Sequence, residues 1–405
     1  MSGIVRSGRY DKRKSLYHYN CKGPVMRSAI VVGGGIGGLS AALGMHNAGW
    51  QVTVVERAAE FTPIGAGITL WPNALRALDE LGLGDRLRPL LTPATAGLRD
   101  VRGRPIVRFD EAAFVRRLGK PLAGIHRANL IGLLRDALPA DSLRAGTEVT
   151  AVTRDGDVTY GDGGTEHADL VVGADGIGSR VRAALWPEHA ATTYSGSTAF
   201  RGVTDAPPNP EIGITWGPGV EFGIVPRAGG GRYWYTALVA AEGETHEDAK
   251  TYLEHRFSAW PSATRGLIDS TPADAILHHD IRVLARPLPT RVTGSVALLG
   301  DAAHAMTPFL GQGGCQAIED AVVLAAAAAR HDKIADALAN YDAERRPRAH
   351  AIVKASERMG RLGHRLRNPL LVAARNAVLR RVPASVMTRA TSGPADWTPP
   401  PLVRV

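Results

Sequence analysis

Three glycine-bearing turns, far apart in the chain, carry residue types suited to phosphates and sugar hydroxyls: Gly33-Gly34-Gly35-Ile36-Gly37-Gly38, Asp175-Gly176 and Gly300-Asp301. In the first, Gly33 permits a tight turn, Gly35 lets the backbone approach a pyrophosphate, and Gly38 permits close helix–strand packing. The phosphate would then meet the positive end of the following helix. Glu56 stands 23 residues after Gly33, at the end of the next apolar run, where a carboxylate can accept hydrogen bonds from ribose hydroxyls. Arg57 beside it could lie along an adenine or a phosphate.

The second turn follows the apolar run Leu170-Val171-Val172-Gly173. An Asp-Gly pair suits a sharp bend next to a pyrophosphate, and Arg180 adds positive charge for phosphate. At the third, the run Val296–Leu299 delivers Asp301 to a strand's C-terminal edge, where open α/β sheets bind ligands. A ribose or ribityl hydroxyl is the expected partner of Asp301. His304 reads as a packing or capping residue. Downstream, Pro308-Phe309-Leu310-Gly311-Gln312-Gly313-Gly314 is an NH-rich loop that opens an alanine-rich helix, whose start favours negative charge.

The elements needed to position these turns are visible in the pattern of apolar residues. A buried strand over Ala29–Val32, a small-residue helix through Asn47 and a second strand over Gln51–Val55 form a βαβ unit, hence a mostly parallel sheet. Asp169–Gly173 and Ser295–Gly300 are short apolar strands that would complete that sheet from distant sequence. Between Pro187 and Pro287 the texture changes to short alternating runs such as Gly223–Val225 and Tyr233–Val239, broken by Gly and Pro, which predicts a mixed or antiparallel sheet. Helices are expected over 313–330 and 336–362, and a Pro- and Thr-rich tail after Ser392 is expected to end the ordered chain. The fold class is therefore α/β: a Rossmann-like dinucleotide-binding domain built from 26–186 and 286–362, a β-sheet substrate domain over 187–285, and a C-terminal helix and tail over 363–405.

Composition narrows the class further. A chain of 405 residues exceeds the size at which single cores usually divide, so two domains are the natural expectation. The longest apolar stretch, Ala321 to Ala329, is far too short to span a bilayer, so no transmembrane segment is expected. With only Cys21 and Cys315, neither a disulfide framework nor a zinc or other metal centre is indicated, and a cytoplasmic location fits. The net charge of +9 is concentrated at two places: residues 1–25 carry six Lys/Arg against Asp11, and residues 345–389 carry twelve against Glu357. The rest of the chain is acidic. That distribution reads as a solvated basic face rather than a nucleic-acid groove. Residues 1–25 show no apolar period and are expected to be a disordered extension, with Met26 directly before the first strand as a natural start.

The three ordered motifs resemble the single-component FAD-dependent aromatic hydroxylases, the group of para-hydroxybenzoate and salicylate hydroxylases. The resemblance spans residues 27–362. Two further stretches look like the family pattern, Gly65-Ala66-Gly67-Ile68-Thr69-Leu70-Trp71-Pro72-Asn73-Ala74 and Ile125-His126-Arg127-Ala128-Asn129-Leu130. By that resemblance Gly67 lies near the flavin, Arg127 contacts FAD, and the backbone of Val149 meets adenine. The implied cofactor is non-covalent FAD, with NAD(P)H as transient co-substrate. The implied reaction is oxygen transfer from a flavin C4a-hydroperoxide to an electron-rich substrate, in which the cofactor carries the hard chemistry.

Partners implied by the resemblance are O2 and a small aromatic or N-heterocyclic substrate, in a monomer or homodimer. Substrate contacts are expected from the middle sheet. Arg201, in Ser197-Thr198-Ala199-Phe200-Arg201-Gly202-Val203, could hold a carboxylate or polarised carbonyl, or pair across the sheet as a structural residue. Trp216, Phe222, Tyr235 and Phe309 could line an aromatic pocket, although core packing explains each more simply. A halogenase on the same fold would be expected to carry a Trp-x-Trp pair, and none occurs. An FAD-dependent reductase or dehydrogenase and a non-catalytic FAD-binding protein remain as rivals.

Overall fold

The apolar run Ser28–Val32 is central to a six-stranded sheet, and the computed structural model, which describes residues 26–61, 67–204, 213–226 and 231–402, shows what surrounds it. In order across the sheet lie Val292–Thr293, Val296–Leu298, Leu170–Gly173, Ser28–Val32, Gln51–Val55 and Leu143–Arg144. Only the Val292–Thr293 edge pairs antiparallel. The register is what matters for function. Val32 pairs with Gly173 and Gly173 with Leu298, so three strands end level with one another. The Gly33, Asp175 and Gly300 turns therefore leave the same edge of the sheet.

Helix Ile36–Asn47 and helix Gly313–Arg330 pack face to face through small residues. A methyl group at Gly37 would come within 3.1 Å of the Ala317 Cβ, and one at Gly44 within 2.8 Å of the Ala325 Cβ. Alanine-rich sequence thus has a structural purpose here: it lets two backbones approach.

The second sheet has seven strands, in the order Leu277–Leu284, Thr192–Thr204, Arg232–Leu238, Val220–Pro226, Gly213–Gly217, Leu98–Asp100 and Pro105–Val107. It is mixed, because Gly213–Gly217 runs parallel to Leu98–Asp100. One face carries Phe200, Phe222 and Trp234 under the helices Ala249–Arg256 and Ser262–Asp269. The opposite face carries Ala199, Ala237 and Ile281 against Phe309 and Met359.

Two expectations change. The sheet recruits residues 98–107 from within the segment assigned to the nucleotide-binding domain, through strands of three residues, too short to show an alternating pattern. The chain after Ser392 does not simply trail away. Arg76 donates to the carbonyls of Ala395 and Trp397, and the Trp397 ring lies 5.8 Å from the guanidinium carbons of both Arg345 and Arg348. The expected disorder of 1–25 concerns residues outside those described.

Beneath the Gly300 turn lies a buried ionic network. Asp320 accepts from the Gly300 N–H (3.0 Å), His304 Nε2 (2.5 Å), Arg291 Nη1 (3.1 Å) and Arg345 Nε (2.8 Å). Its neighbour Glu319 accepts from Asn73 Nδ2, Gln316 Nε2, Arg345 and Arg348. These bonds join helix Gly313–Arg330 to helix Ile334–Leu362 and to the strand edge at Arg291. Trp397 covers the outer side of the arginines, so Trp397→Ala should lower unfolding free energy by about 1–3 kcal/mol. Urea denaturation monitored by circular dichroism checks this, and an unchanged midpoint would show that the tail contributes nothing.

Candidate active site

At the first turn Gly33 has φ +109°, and a Cβ there would sit 2.4 Å from the Ala174 carbonyl oxygen, so only glycine fits. A Cβ at Gly38 would come within 2.0 Å of the Gly33 oxygen, whereas one at Gly35 meets nothing within 4 Å. The turn is packed on its protein side and open at Gly35. No side chain caps the start of helix Ile36–Asn47, leaving N–H groups directed at that opening.

Glu56 folds back on this loop, accepting from the Gly34 N–H at 2.8 Å and the Ala58 N–H at 2.9 Å. Arg57 is exposed at the rim. The Thr147 N–H donates to the Glu56 carbonyl, which brings the buried Val149 close to the same corner. Gly37 and Gly38 lie in the first helical turn, and Gly67, at the start of strand Gly67–Leu70, packs against Tyr233. Gly65 and Ala66 lie outside the described residues.

Asp175 Oδ2 accepts from the Arg180 and Val181 N–H groups, capping the short helix Arg180–Leu185, while its buried Oδ1 has no partner among the described residues. The Arg180 guanidinium does not reach the turn. It is ion-paired with Glu148 at 2.7 Å on the surface, because the helix places its side chain outward. The arginine beneath the turn is Arg182, which sequence reading missed. It is buried, donates to the carbonyls of Ile177, Ala190 and Ala302, and so fastens the Asp175 turn to the Gly300 turn. Burial lowers its pKa, and Asp175 and Asp301 oppose that.

Gly300 has φ +58°, and Asp301 projects from the next position, exposed, in the one-turn helix Asp301–His304. Arg127, at the start of helix Arg127–Arg135, has a buried Nε without a partner among the described residues. Burial lowers its pKa; the Asp301 charge opposes this and Arg201 adds to it. Arg127 therefore stands within electrostatic reach of both the Gly300-Asp301 turn and the substrate sheet. The Pro308–Leu310 turn leads through Gly311 (φ +61°) to Gly313, the first residue of helix Gly313–Arg330, whose start has no side-chain cap. A Cβ at Gly314 would come within 2.6 Å of Ile68 Cδ1, so this helix start is held directly against strand Gly67–Leu70.

On the substrate sheet Arg201 pairs in register with Tyr235, and Tyr235 in turn with Gly223. Tyr235 therefore shares the face of Arg201. Phe222, one residue from Gly223, points the other way and stacks on Trp234 at 5.5 Å, so it belongs to the helix-covered core rather than a pocket. Trp216 stands in register with Glu221 and so lies on the same side of the sheet as Tyr235. It packs with Leu98, Ile106 and Val107, and its indole N–H donates to Glu221 at 2.7 Å. Phe309 is buried against Ala199, Ala237 and Ile281, 4.3 Å from the His364 ring.

Two unforeseen ionisable groups complete this face. Glu221 is fully buried, accepts from Tyr235 OH at 3.2 Å as well as from Trp216, and is pushed up to about 7 by burial, partly offset by those two bonds. His279 is pushed down to about 4 by burial and by Arg201, so it is neutral at pH 7. Their signal in the sequence was weak: a lone Glu in an apolar strand and a His in an alternating run.

Orphaned Arg127 Nε and Asp175 Oδ1, the open side of Gly35 and two uncapped helix starts fit a dinucleotide with a charged, ring-shaped head. That arrangement, with a second sheet facing it, is the architecture of a flavoprotein. A family model described as an FAD binding domain matches residues 26–356. Aurachin C monooxygenase/isomerase of Stigmatella aurantiaca is 37% identical over 381 residues, spanning 92% of this chain and 98% of that protein. FAD-dependent urate hydroxylase of Klebsiella pneumoniae is 34% identical over 82% of this chain and 89% of its own length. The structure of Klebsiella pneumoniae HpxO complexed with FAD and uric acid superposes with a TM-score of 0.84 at 29% identity, over 91% of this chain and 96% of that one. The chain belongs to the FAD-binding-domain family of flavoprotein monooxygenases.

Asp301→Ala is expected to lose FAD on purification while keeping its far-ultraviolet spectrum; full flavin occupancy would remove Asp301 from the site. Glu221 has a clear sign. Its folded pKa lies above the ordinary 4.5, so its contribution is greatest below about pH 4.5 and is lost as pH rises to about 7, by about 3 kcal/mol in total. Glu221→Gln should flatten that part of the stability–pH curve in denaturant titrations, and curves of identical slope would contradict it.

Proposed function

We propose that this chain is an FAD monooxygenase that uses NAD(P)H and O2 to insert one oxygen atom into a small, electron-rich aromatic or N-heterocyclic substrate. The balance is substrate, O2, NAD(P)H and a proton giving hydroxylated (or epoxidised) substrate, water and NAD(P)+. The observation that carries this reading is the grouping of Arg201, Tyr235, Tyr233 and His279 on one sheet face, with Arg127 and Asp301 in electrostatic range. The relatives named for urate and hydroxybenzoate hydroxylation favour the same substrate class.

When bound, FAD supplies the redox and oxygen-activating chemistry. Gly33–Gly38, Glu56, Arg127, Asp175, Asp301 and the Gly313 helix start would hold it. Arg201 would hold an anionic or carbonyl oxygen of the substrate and fix which carbon is presented. Phe309, with Ala199, Ala237 and Ile281 on that face, would exclude water from the reacting atoms. Tyr235, hydrogen-bonded to Glu221, offers a hydroxyl on the same face through which a substrate proton could be held. The protein would work in the cytoplasm, as a monomer or homodimer. Among the described residues no helix is long and apolar enough to cross a membrane.

A panel of aromatic acids, phenols and N-heterocycles tested for stimulated NADH and NADPH oxidation, with 18O2 and mass spectrometry, checks the reaction. Label in a hydroxylated product is expected; peroxide alone with every candidate would favour an oxidase or reductase. Arg201→Ala should raise KM for the active substrate by about tenfold to a hundredfold with flavin content unchanged. An unaltered KM would return Arg201 to a structural role.

A further inference from the structure

The helix Pro369–Arg381 buries Val372 and packs Leu379 against the Trp216 cluster, yet leaves further large apolar residues on its outer side. Two of its polar residues turn inward. Asn376 is buried, and Arg375 donates to the carbonyls of Leu362 and Gly363 and to Asn376 Oδ1, with its guanidinium 4.8 Å from the Trp216 ring centroid. Three of its large apolar residues turn outward: Leu370 is 79% exposed and Val378 64%, and Leu371 is exposed beside them. Leu370 and Val378 are two turns apart and so share one side of the helix. Leu362 before this helix and Val386 in the next, Ala384–Ser392, are also exposed. Among the described residues eight large hydrophobic side chains are exposed, and five of them fall in this one stretch. Five exposed large apolar side chains within residues 362–386 are more than the single, scattered ones an ordinary surface carries.

Charge decides what covers it. From Arg358 to Ala395 the sequence holds eight arginines and no Asp or Glu. Arg380 is committed to Asp100 and Arg361 to Glu357, while Arg367, Arg381 and Arg389 are exposed around the apolar residues. A second copy bound through a two-fold axis would set this patch against itself, arginine facing arginine with no acid in the segment to relieve it. A nucleic acid would leave the leucines against phosphate. Leucine and valine ringed by arginine instead match a layer of acyl chains beneath anionic headgroups.

We propose that the exposed apolar residues of this stretch, Leu362, Leu370, Leu371, Val378 and Val386, dock onto an anionic lipid surface, with Arg367, Arg381 and Arg389 on the lipid phosphates. Through Arg375 and Trp216 the docked face is joined directly to the substrate sheet. The protein would then work at a membrane surface without crossing it, whatever its substrate.

The test is sedimentation of the FAD-loaded full chain with vesicles of phosphatidylcholine alone or mixed with phosphatidylglycerol. The chain should pellet with the mixed vesicles and be released by salt. The combined variant Leu370→Glu, Leu371→Glu, Val378→Glu should stay in the supernatant with flavin content and circular dichroism unchanged. Arg381→Ala and Arg389→Ala should each bind about fivefold more weakly. No pelleting with phosphatidylglycerol vesicles at low salt, or equal pelleting of wild type and variants, would overturn the proposal. So would a wild-type dimer in light scattering that the triple variant dissociates, which would assign the face to a second copy.

Discussion

Asp320 is a carboxylate with no solvent exposure, and the geometry of the cofactor site hangs on it. Burial alone would raise its pKa. The charges of His304, Arg345 and Arg291, together with the His304 hydrogen bond, more than offset that and hold it well below the usual carboxylate range. An ion so desolvated is stable only while every partner is in place, and removing one member of such a group typically costs about 3–5 kcal/mol. One of its hydrogen bonds goes to the Gly300 N–H, the residue whose left-handed conformation aims Asp301 out of the sheet edge. The network is thus both a clamp between helices and the support of the turn that carries Asp301.

The rest of the site follows from where the chain returns to the same edge. Parallel register brings three turns level although they are separated by more than a hundred residues each. Glycine is required at Gly33 and Gly38 by contact with backbone, and small residues in two helices let the flanking layers close. The second sheet then presents one face to this edge and buries the other under its own helices, so alternation along each strand separates residues on the open side from core. Arg201 and Tyr235 fall on one side and Phe222 on the other.

Much of the cofactor half was legible in the sequence, because local chemistry dictates it: a βαβ unit, glycines at fixed offsets, an acid at a strand end. Helices over Gly313–Arg330 and Ile334–Leu362 also followed from composition. The misreadings share a cause, namely side-chain direction set by tertiary contacts. Arg180 and Arg182 are indistinguishable in sequence, yet helix geometry sends the first to Glu148 and buries the second under both aspartate turns. Phe222 was an aromatic candidate for which core packing was the simpler reading, and pocket and core residues look alike until strand register is known. Glu319 and Asp320 left a signal that could have been read. Two adjacent acids inside an alanine-rich buried helix demand buried cations, and Arg345 and Arg348 lie in the next helix.

The most direct measurement is FAD affinity, by flavin fluorescence titration, of Asp320→Asn at a temperature where circular dichroism shows it folded. Asparagine keeps the shape but cannot balance Arg291, Arg345 and His304, so the Gly300 turn should loosen and FAD binding weaken by about tenfold or more. A folded Asp320→Asn protein that binds FAD as tightly as the wild type would contradict the dependence of the cradle on this carboxylate.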